Sequence, residues 1–309
     1  MNEREIDELA RAVVEHLGVP LGSESQALPD IGWRMPFEER GKREVGGGRR
    51  GGWGWSPPSS PLPPPPDITL AGLVDHTLLA ADATRADIER LCDEALAHRF
   101  AAVCVNGGWV SLCAGRLLGS GVKVAAVVGF PLGATTSSAK AFEARNLVDE
   151  GADELDMVAP IGRLLDGDWD YVEADISGVV RSCGGRIVKV ILETAVLTPI
   201  EIVKASALAK EAGASFVKTS TGFHAAGGAT VEAVALMREA VGRGGTIGVK
   251  ASGGIHSCAS ALQMLGAGAS RLGTSSGVSL VECIGVDAHP FDDLVAHPAR
   301  HAAACRFCD

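Results

Sequence analysis

Aromatic side chains are scarce in this chain: they make up 5% of its 309 residues, and Tyr171 is the single tyrosine. A core with so little aromatic volume has to be filled by small aliphatic side chains, which suits helices packed closely on parallel strands. Long apolar runs are missing too, and none reaches the roughly 18 residues that a membrane-spanning helix needs. Basic charge is in deficit, with 28 Lys and Arg against 38 Asp and Glu, a net charge of −10 and a pI near 5.3. That balance argues against non-specific nucleic-acid binding, because no cationic surplus exists to neutralise phosphates. Cysteines in metal-binding order are lacking as well. The 8 cysteines are mostly scattered singly through apolar segments, as at Cys104 and Cys113, and no signal peptide precedes them, so a reduced, cytoplasmic chain is expected. Cys305-Arg306-Phe307-Cys308 is the exception, with metal or redox spacing but no second pair to complete a site.

Four segments are present. Residues 1–18 place Ile6, Leu9, Ala10, Val13, Val14 and Leu17 at helical spacing, with charged residues on the other faces and Gly18 and Pro20 as stops, which predicts a short amphipathic helix for targeting or interaction. Over 19–66 the periodicity vanishes into glycine and proline runs such as Gly46-Gly47-Gly48 and Pro63-Pro64-Pro65-Pro66, the composition of a disordered linker. From 67 to 290, short Val, Ala and Ile runs alternate with helical patterns, and 291–309 forms a tail. Strands are expected near 70–75, 101–105, 123–129, 153–158, 186–192, 215–218, 247–250 and 270–273, each followed by a helix. Eight such units predict a (β/α)8 TIM barrel of the α/β class. A doubly wound open sheet is the alternative, but the first strand lacks a Gly-x-Gly-x-x-Gly turn.

The chemistry is expected at the C-terminal ends of the strands. Lys218 ends the apolar run Ala214-Ser215-Phe216-Val217, and Lys250 ends Ile247-Gly248-Val249 in the same way. A lysine buried there loses solvation, which disfavours its ammonium form, and a second ammonium nearby pushes in the same direction. The resulting free amine attacks carbonyls to form a Schiff base. Each lysine could instead snorkel to solvent or pair with a carboxylate. Asp156 lies within an apolar strand, where a carboxylate needs cationic partners and can serve as either a structural ion pair or a proton relay. Glycine and hydroxyl clusters at Thr221-Gly222, Gly253-Gly254 and Ser275-Ser276 follow the last three strands, the usual setting of a phosphate cradle made from backbone N–H groups. His76 reads as a structural link beside Asp75, Cys104 as a residue lining the pocket or an inert buried thiol, and Glu193 as part of a polar layer under the site.

The motifs Asp75-His76-Thr77-Leu78-Leu79, Val128-Gly129-Phe130-Pro131-Leu132-Gly133, Gly151-Ala152-Asp153-Glu154-Leu155-Asp156-Met157-Val158, Lys218-Thr219-Ser220-Thr221-Gly222, Val249-Lys250-Ala251-Ser252-Gly253-Gly254-Ile255 and Gly273-Thr274-Ser275-Ser276 together closely resemble the deoxyribose-phosphate aldolase family over residues 68–284. The resemblance implies a metal-free, cofactor-free class I aldolase that interconverts 2-deoxyribose 5-phosphate with acetaldehyde and glyceraldehyde 3-phosphate. It implies Lys218 as the Schiff-base lysine, Lys250 as its electrostatic neighbour and Asp156 as the proton carrier. Asp75, Cys104 and Thr221 would meet the sugar, while Gly222, Gly253, Gly254, Ser275 and Ser276 would hold the phosphate. A homodimer or homotetramer is expected, with neither nucleic acid nor membrane as partner. Departures occur at Ala80 and Ala81, where the family commonly has lysine and proline, at Asn106-Gly107-Gly108-Trp109, and in the tail, which has no tyrosine. The N-terminal helix and its linker resemble the encapsulation peptides of bacterial microcompartments, implying a shell protein as partner; an oligomerisation helix is the alternative. Other readings are a different phosphate-binding barrel aldolase or isomerase, or a catalytically silent cargo protein.

Overall fold

The computed structural model describes residues 1, 3–19, 69–242 and 247–284. The linker expected over 19–66 lies almost wholly outside them, as do the tail and its Cys305 and Cys308. Eight parallel strands close into a barrel in sequence order. They are β1 (Val74–Leu78), β2 (Ala102–Val105), β3 (Lys123–Val128), β4 (Glu154–Val158), β5 (Ile187–Ile191), β6 (Phe216–Lys218), β7 (Gly248–Ser252) and β8 (Arg271–Thr274). Helix α1 (Glu3–His16) precedes the barrel, and its outer layer runs α2 (Arg85–His98), α3 (Val110–Leu117), α4 (Ser137–Asp149), α5 (Ile161–Asp166), α6 (Trp169–Ser182), α7 (Pro199–Glu211), α8 (Val231–Val241), α9 (Cys258–Gly266) and α10 (Gly277–Ile284). The short α5, stopped by Gly167 in a left-handed conformation, interrupts the expected one-helix-per-strand alternation.

Local sequence explains where the helices begin. Thr84 and Thr198 open capping boxes with Asp87 and Glu201, and Thr136, Thr230 and Ser257 cap α4, α8 and α9. Each side-chain oxygen satisfies an N–H that the first helical turn leaves free. The first strand departs from expectation. Thr69 Oγ1 accepts the Gly72 N–H at 3.3 Å, and this local bond favours a 3-10 turn over 71–73, so β1 starts at Val74 and Asp75 lies near its start rather than at its end.

Strand periodicity sorts the side chains into two layers. Val103, Val105, Val124, Leu155, Met157, Val190, Val217, Val249 and Leu272 join the core between barrel and helices. Inside the barrel, Leu79, Ala102, Cys104, Ala125 and Val127 form a separate small cluster packed against Phe130.

The apolar face of α1 turns onto the barrel's own helices. Ile6, Ala10, Val13 and Val14 are buried in the main core, and α1 lies against α7 and α8. The terminal amine of Met1 pairs with Glu211 at 2.7 Å, and Asp7 pairs with Lys204. A 14-residue helix is marginal alone, so this packing supplies its support. No helix among the described residues is long and apolar enough to cross a membrane.

Candidate active site

The inward positions of β1 and β4–β8 carry a charged layer. Parallel pairing places Lys218 directly beside Lys250, Asp156 beside Lys189, and Lys250 beside Arg271. Asp156 is the hub: its Oδ2 accepts from Lys218 and from Lys250, each at 2.7 Å, and its Oδ1 accepts from Lys189 at 2.8 Å. Lys250 also donates to Asp75. Lys189 reaches Asp75 at 3.0 Å and Glu154 at 2.6 Å, while Arg271 reaches Asp75 at 2.7 Å and Glu154 at 3.2 Å. All three lysines are buried, Lys218 at 3% exposure and the other two at none.

Each basic group therefore has a different carboxylate complement. Burial pushes all three lysines toward the neutral form. For Lys189, Asp156, Asp75 and Glu154 outweigh burial and hold the ammonium well above its ordinary range. For Lys250, burial is outweighed by Asp156 and Asp75, and it too stays raised. Lys218 bonds to one carboxylate only; burial, with the Lys250 ammonium adding to it, prevails over Asp156 and leaves Lys218 below the ordinary amine range. The layer holds three carboxylates, Asp75, Glu154 and Asp156, against four bases, so one neutral lysine leaves it charge-balanced. Asp156 and Asp75 are driven below the usual carboxylate range despite burial, chiefly by Lys189, and remain ionised. Arg271 is held above its already high range by Asp75 and Glu154 against burial.

The backbone fixes this geometry. Thr219 Oγ1 donates to the Ser252 carbonyl and accepts the Ser252 N–H, both at 3.0 Å, and Ser252 Oγ donates to the Ser220 carbonyl at 2.6 Å, stitching the ends of β6 and β7 together. Gly273 makes room on the far side: a Cβ there would lie 2.9 Å from Lys250 Cε.

The glycine and hydroxyl clusters also converge. Gly222, Gly253 and Gly254 have φ of 82°, 87° and 77°, conformations that favour glycine, and the Ala229 N–H reaches the Gly253 carbonyl at 3.0 Å. Thr274 Oγ1 donates to the Ile255 carbonyl at 2.6 Å and accepts the Ser276 N–H at 2.9 Å, tying the loops after β7 and β8 together. His256 Nδ1 stands 3.3 Å from Ser276 Oγ. Phe130 and Phe223 meet edge to face at 5.1 Å, joining the loops after β3 and β6 at the same mouth.

Sequence reading placed Lys218, Lys250, Asp156 and Asp75 in one site, and the barrel brings all four into one hydrogen-bonded network. It missed Lys189 and Arg271. Lys189 was discoverable, since it alternates with Ile187 and Ile191 on the face opposite Val188 and Val190. Glu193, expected in a polar layer under the site, is buried and bonded to Thr221. Its left-handed backbone, φ 57°, lifts the carboxylate to accept the Thr221 N–H at 3.3 Å and the Thr221 hydroxyl at 2.5 Å, so Thr221 is pinned by a neighbouring loop. Cys104 sits on the apolar side with Sγ 4.0 Å from Asp156 Oδ2, and burial pushes its thiol up, away from thiolate chemistry. Among the described residues, no group of three His, Cys, Asp or Glu side chains could hold a metal ion.

Residues 69–281 match the DeoC/LacD family aldolase sequence model. The chain is 55% identical over 208 residues to the deoxyribose-phosphate aldolase of Streptococcus uberis, a match spanning 67% of this chain and 93% of the relative. A crystal structure from Coccidioides immitis is similar with a TM-score of 0.71 at 34% identity, over 91% of this chain and 97% of that one. The tetrameric deoxyribose phosphate aldolase of Aeropyrum pernix gives a TM-score of 0.64 at 36% identity, over 69% of this chain and 89% of its own.

Proposed function

The chain belongs to the DeoC/LacD family of aldolases, and on that footing we propose that it cleaves 2-deoxyribose 5-phosphate reversibly to acetaldehyde and glyceraldehyde 3-phosphate, by a Schiff base on Lys218 and without metal or cofactor. The observation that carries this reading is the asymmetry of the charged layer, in which Lys218 is the lysine favoured toward a free amine.

Lys218 Nζ attacks the C1 aldehyde of the open-chain sugar, and loss of water from the carbinolamine gives an iminium. Removal of the C3 hydroxyl proton forms the C3 carbonyl as the C2–C3 bond breaks, and the electron pair passes to the iminium nitrogen as an enamine. Glyceraldehyde 3-phosphate leaves. The enamine takes a proton at C2, and hydrolysis then releases acetaldehyde and the free amine. Asp156 relays the proton through a water, held ionised by Lys189 and Lys250. Lys250 remains an ammonium and favours the free amine of Lys218, and the iminium that forms there gains its positive charge beside the ionised Asp156. Asp75 orients Lys250 and Lys189 from the other side, and Thr221, fixed by Glu193, borders the sugar together with Cys104. Gly222, Gly253, Gly254, Ser275 and Ser276 hold the phosphate through the N–H groups of the converging loops.

Borohydride reduction in the presence of acetaldehyde is expected to fix a two-carbon adduct on Lys218, located by peptide mass spectrometry. A dominant adduct on Lys189 or Lys250, or none at all, would overturn the assignment. The tetrameric relative supports a homo-oligomer for this chain as well.

We also propose that residues 1–18 address the enzyme, otherwise cytoplasmic, to a microcompartment shell protein, through the amphipathic α1. Because the apolar face of α1 rests on α7 and α8, shell docking requires it to leave that seat. Residues 1–18 fused to a fluorescent protein are expected to co-localise with shells, and diffuse fluorescence would favour a role within the enzyme alone.

A further inference from the structure

Several buried ionisable groups take no part in the chemistry above, His76 among them. Asp75 points into the barrel, so its neighbour His76 points outward, between β1, α2 and α10, at 3% exposure. Its Nε2 lies 2.6 Å from Glu94 Oε2 on α2, and its ring stands 5.0 Å from that of Phe100. The other ring nitrogen, Nδ1, is buried with no hydrogen-bond partner among the described residues. What it faces is Gly277, the first residue of α10. A Cβ on Gly277 would lie 2.9 Å from His76 Nδ1 and 3.1 Å from both Phe100 Cζ and Val74 Cγ1. Glycine is needed here for its size, since it lets the start of α10 rest directly on the imidazole edge.

That contact sits immediately behind the candidate phosphate cradle. His76 pairs in register with Thr274, whose hydroxyl holds the Ser276 N–H, and Gly277 follows Ser276. Glu94 fixes the ring from the Nε2 side, and the Nδ1 edge is turned to the first turn of α10. Close packing of Gly277 against His76, Phe100 and Val74 holds this turn on the ring.

We propose that His76, oriented by Glu94, is a positioning residue that sets the depth and tilt of the first turn of α10, and through it the grip on the substrate's phosphate. This rests on the phosphate-binding reading given above. His76 touches neither substrate nor Lys218, so its influence falls on phosphate recognition and not on carbon–carbon cleavage.

The test compares 2-deoxyribose 5-phosphate with unphosphorylated 2-deoxyribose on the full chain, for the unaltered protein, His76→Phe and Gly277→Ala. For both variants KM for the phosphorylated sugar is expected to rise about tenfold with kcat within about twofold, while kcat/KM for 2-deoxyribose stays within about twofold. An equal loss on both sugars would make His76 a general structural support and overturn the inference, as would an unchanged KM. Should His76→Phe lose its cooperative thermal transition, Gly277→Ala disturbs the same contact from the opposite side and carries the same two outcomes. An unaltered protein that handles both sugars equally and is not inhibited by inorganic phosphate would remove the phosphate reading and this inference with it. A preference for the phosphorylated sugar that both variants retain overturns the inference alone.

Discussion

The two halves of the barrel interior are built on opposite principles. The β1–β3 side is lined by Leu79, Ala102, Cys104, Ala125 and Val127, small and uncharged, whereas the β4–β8 side carries Glu154, Asp156, Lys189, Lys218, Lys250 and Arg271, with Asp75 of β1 closing the network. Neither half would be useful alone. The apolar half lowers the local dielectric, which makes each charge opposite it count for more. The charged half decides which amine gives up its proton, because its carboxylates are shared unequally among the lysines.

The comparison is broken most completely at Lys218. Lys218→Ala is expected to lower kcat for cleavage by about 10⁴-fold or more with the fold intact, read by coupled assay and circular dichroism. Lys250→Leu extends the apolar character across the divide and should cost about 10²–10³-fold at neutral pH. Its signature is directional: removing an ammonium lets Asp156 raise the Lys218 pKa, so the rising limb of the pH–rate profile moves to higher pH. A profile that falls in height without moving would contradict the electrostatic role of Lys250.

Lys189→Met tests the charged half as a structural unit. It leaves Asp75, Glu154 and Asp156 with one fewer cation and should destabilise the protein by about 3–5 kcal/mol in urea unfolding near pH 7. Asp75 and Asp156 have depressed folded-state pKa values, so their contribution is complete above the usual carboxylate range and fades as pH falls below about 4. The stability gap between variant and parent should therefore narrow on acidification. The smallest effect is expected on the apolar side, where Ala125→Leu adds volume beside Glu154, its register partner on β4, without removing a charge. KM should rise about tenfold or less while the pH profile stays in place. A shifted profile would show that the two halves are not separable.

Much of this division was legible in the sequence because strand periodicity is simple. Lysines closing apolar runs in matching contexts, followed by glycine clusters, located the mouth of the barrel and the two lysines that strand pairing sets side by side. Closure of the sheet is what periodicity does not reveal. Lys189 and Arg271 acquire their meaning from partners more than a hundred residues away, Asp75 in both cases, and short-range pattern carries no trace of that pairing. The start of β1 was misplaced because a single Thr69 hydroxyl bond favours a turn where the local residues read as strand. The grip of Glu193 on Thr221 escaped for a similar reason, since a left-handed backbone at a non-glycine residue leaves no compositional mark.

The seat of α1 on α7 and α8 imposes an order in time. Met1 finds Glu211 across 210 positions of sequence, so during synthesis the helix emerges long before the surface that receives it. At ordinary ribosomal speeds, roughly 10–40 s separate the two. Throughout that interval the newborn helix offers Ile6, Ala10, Val13 and Val14 to whatever is near, and its own barrel is the last competitor to arrive.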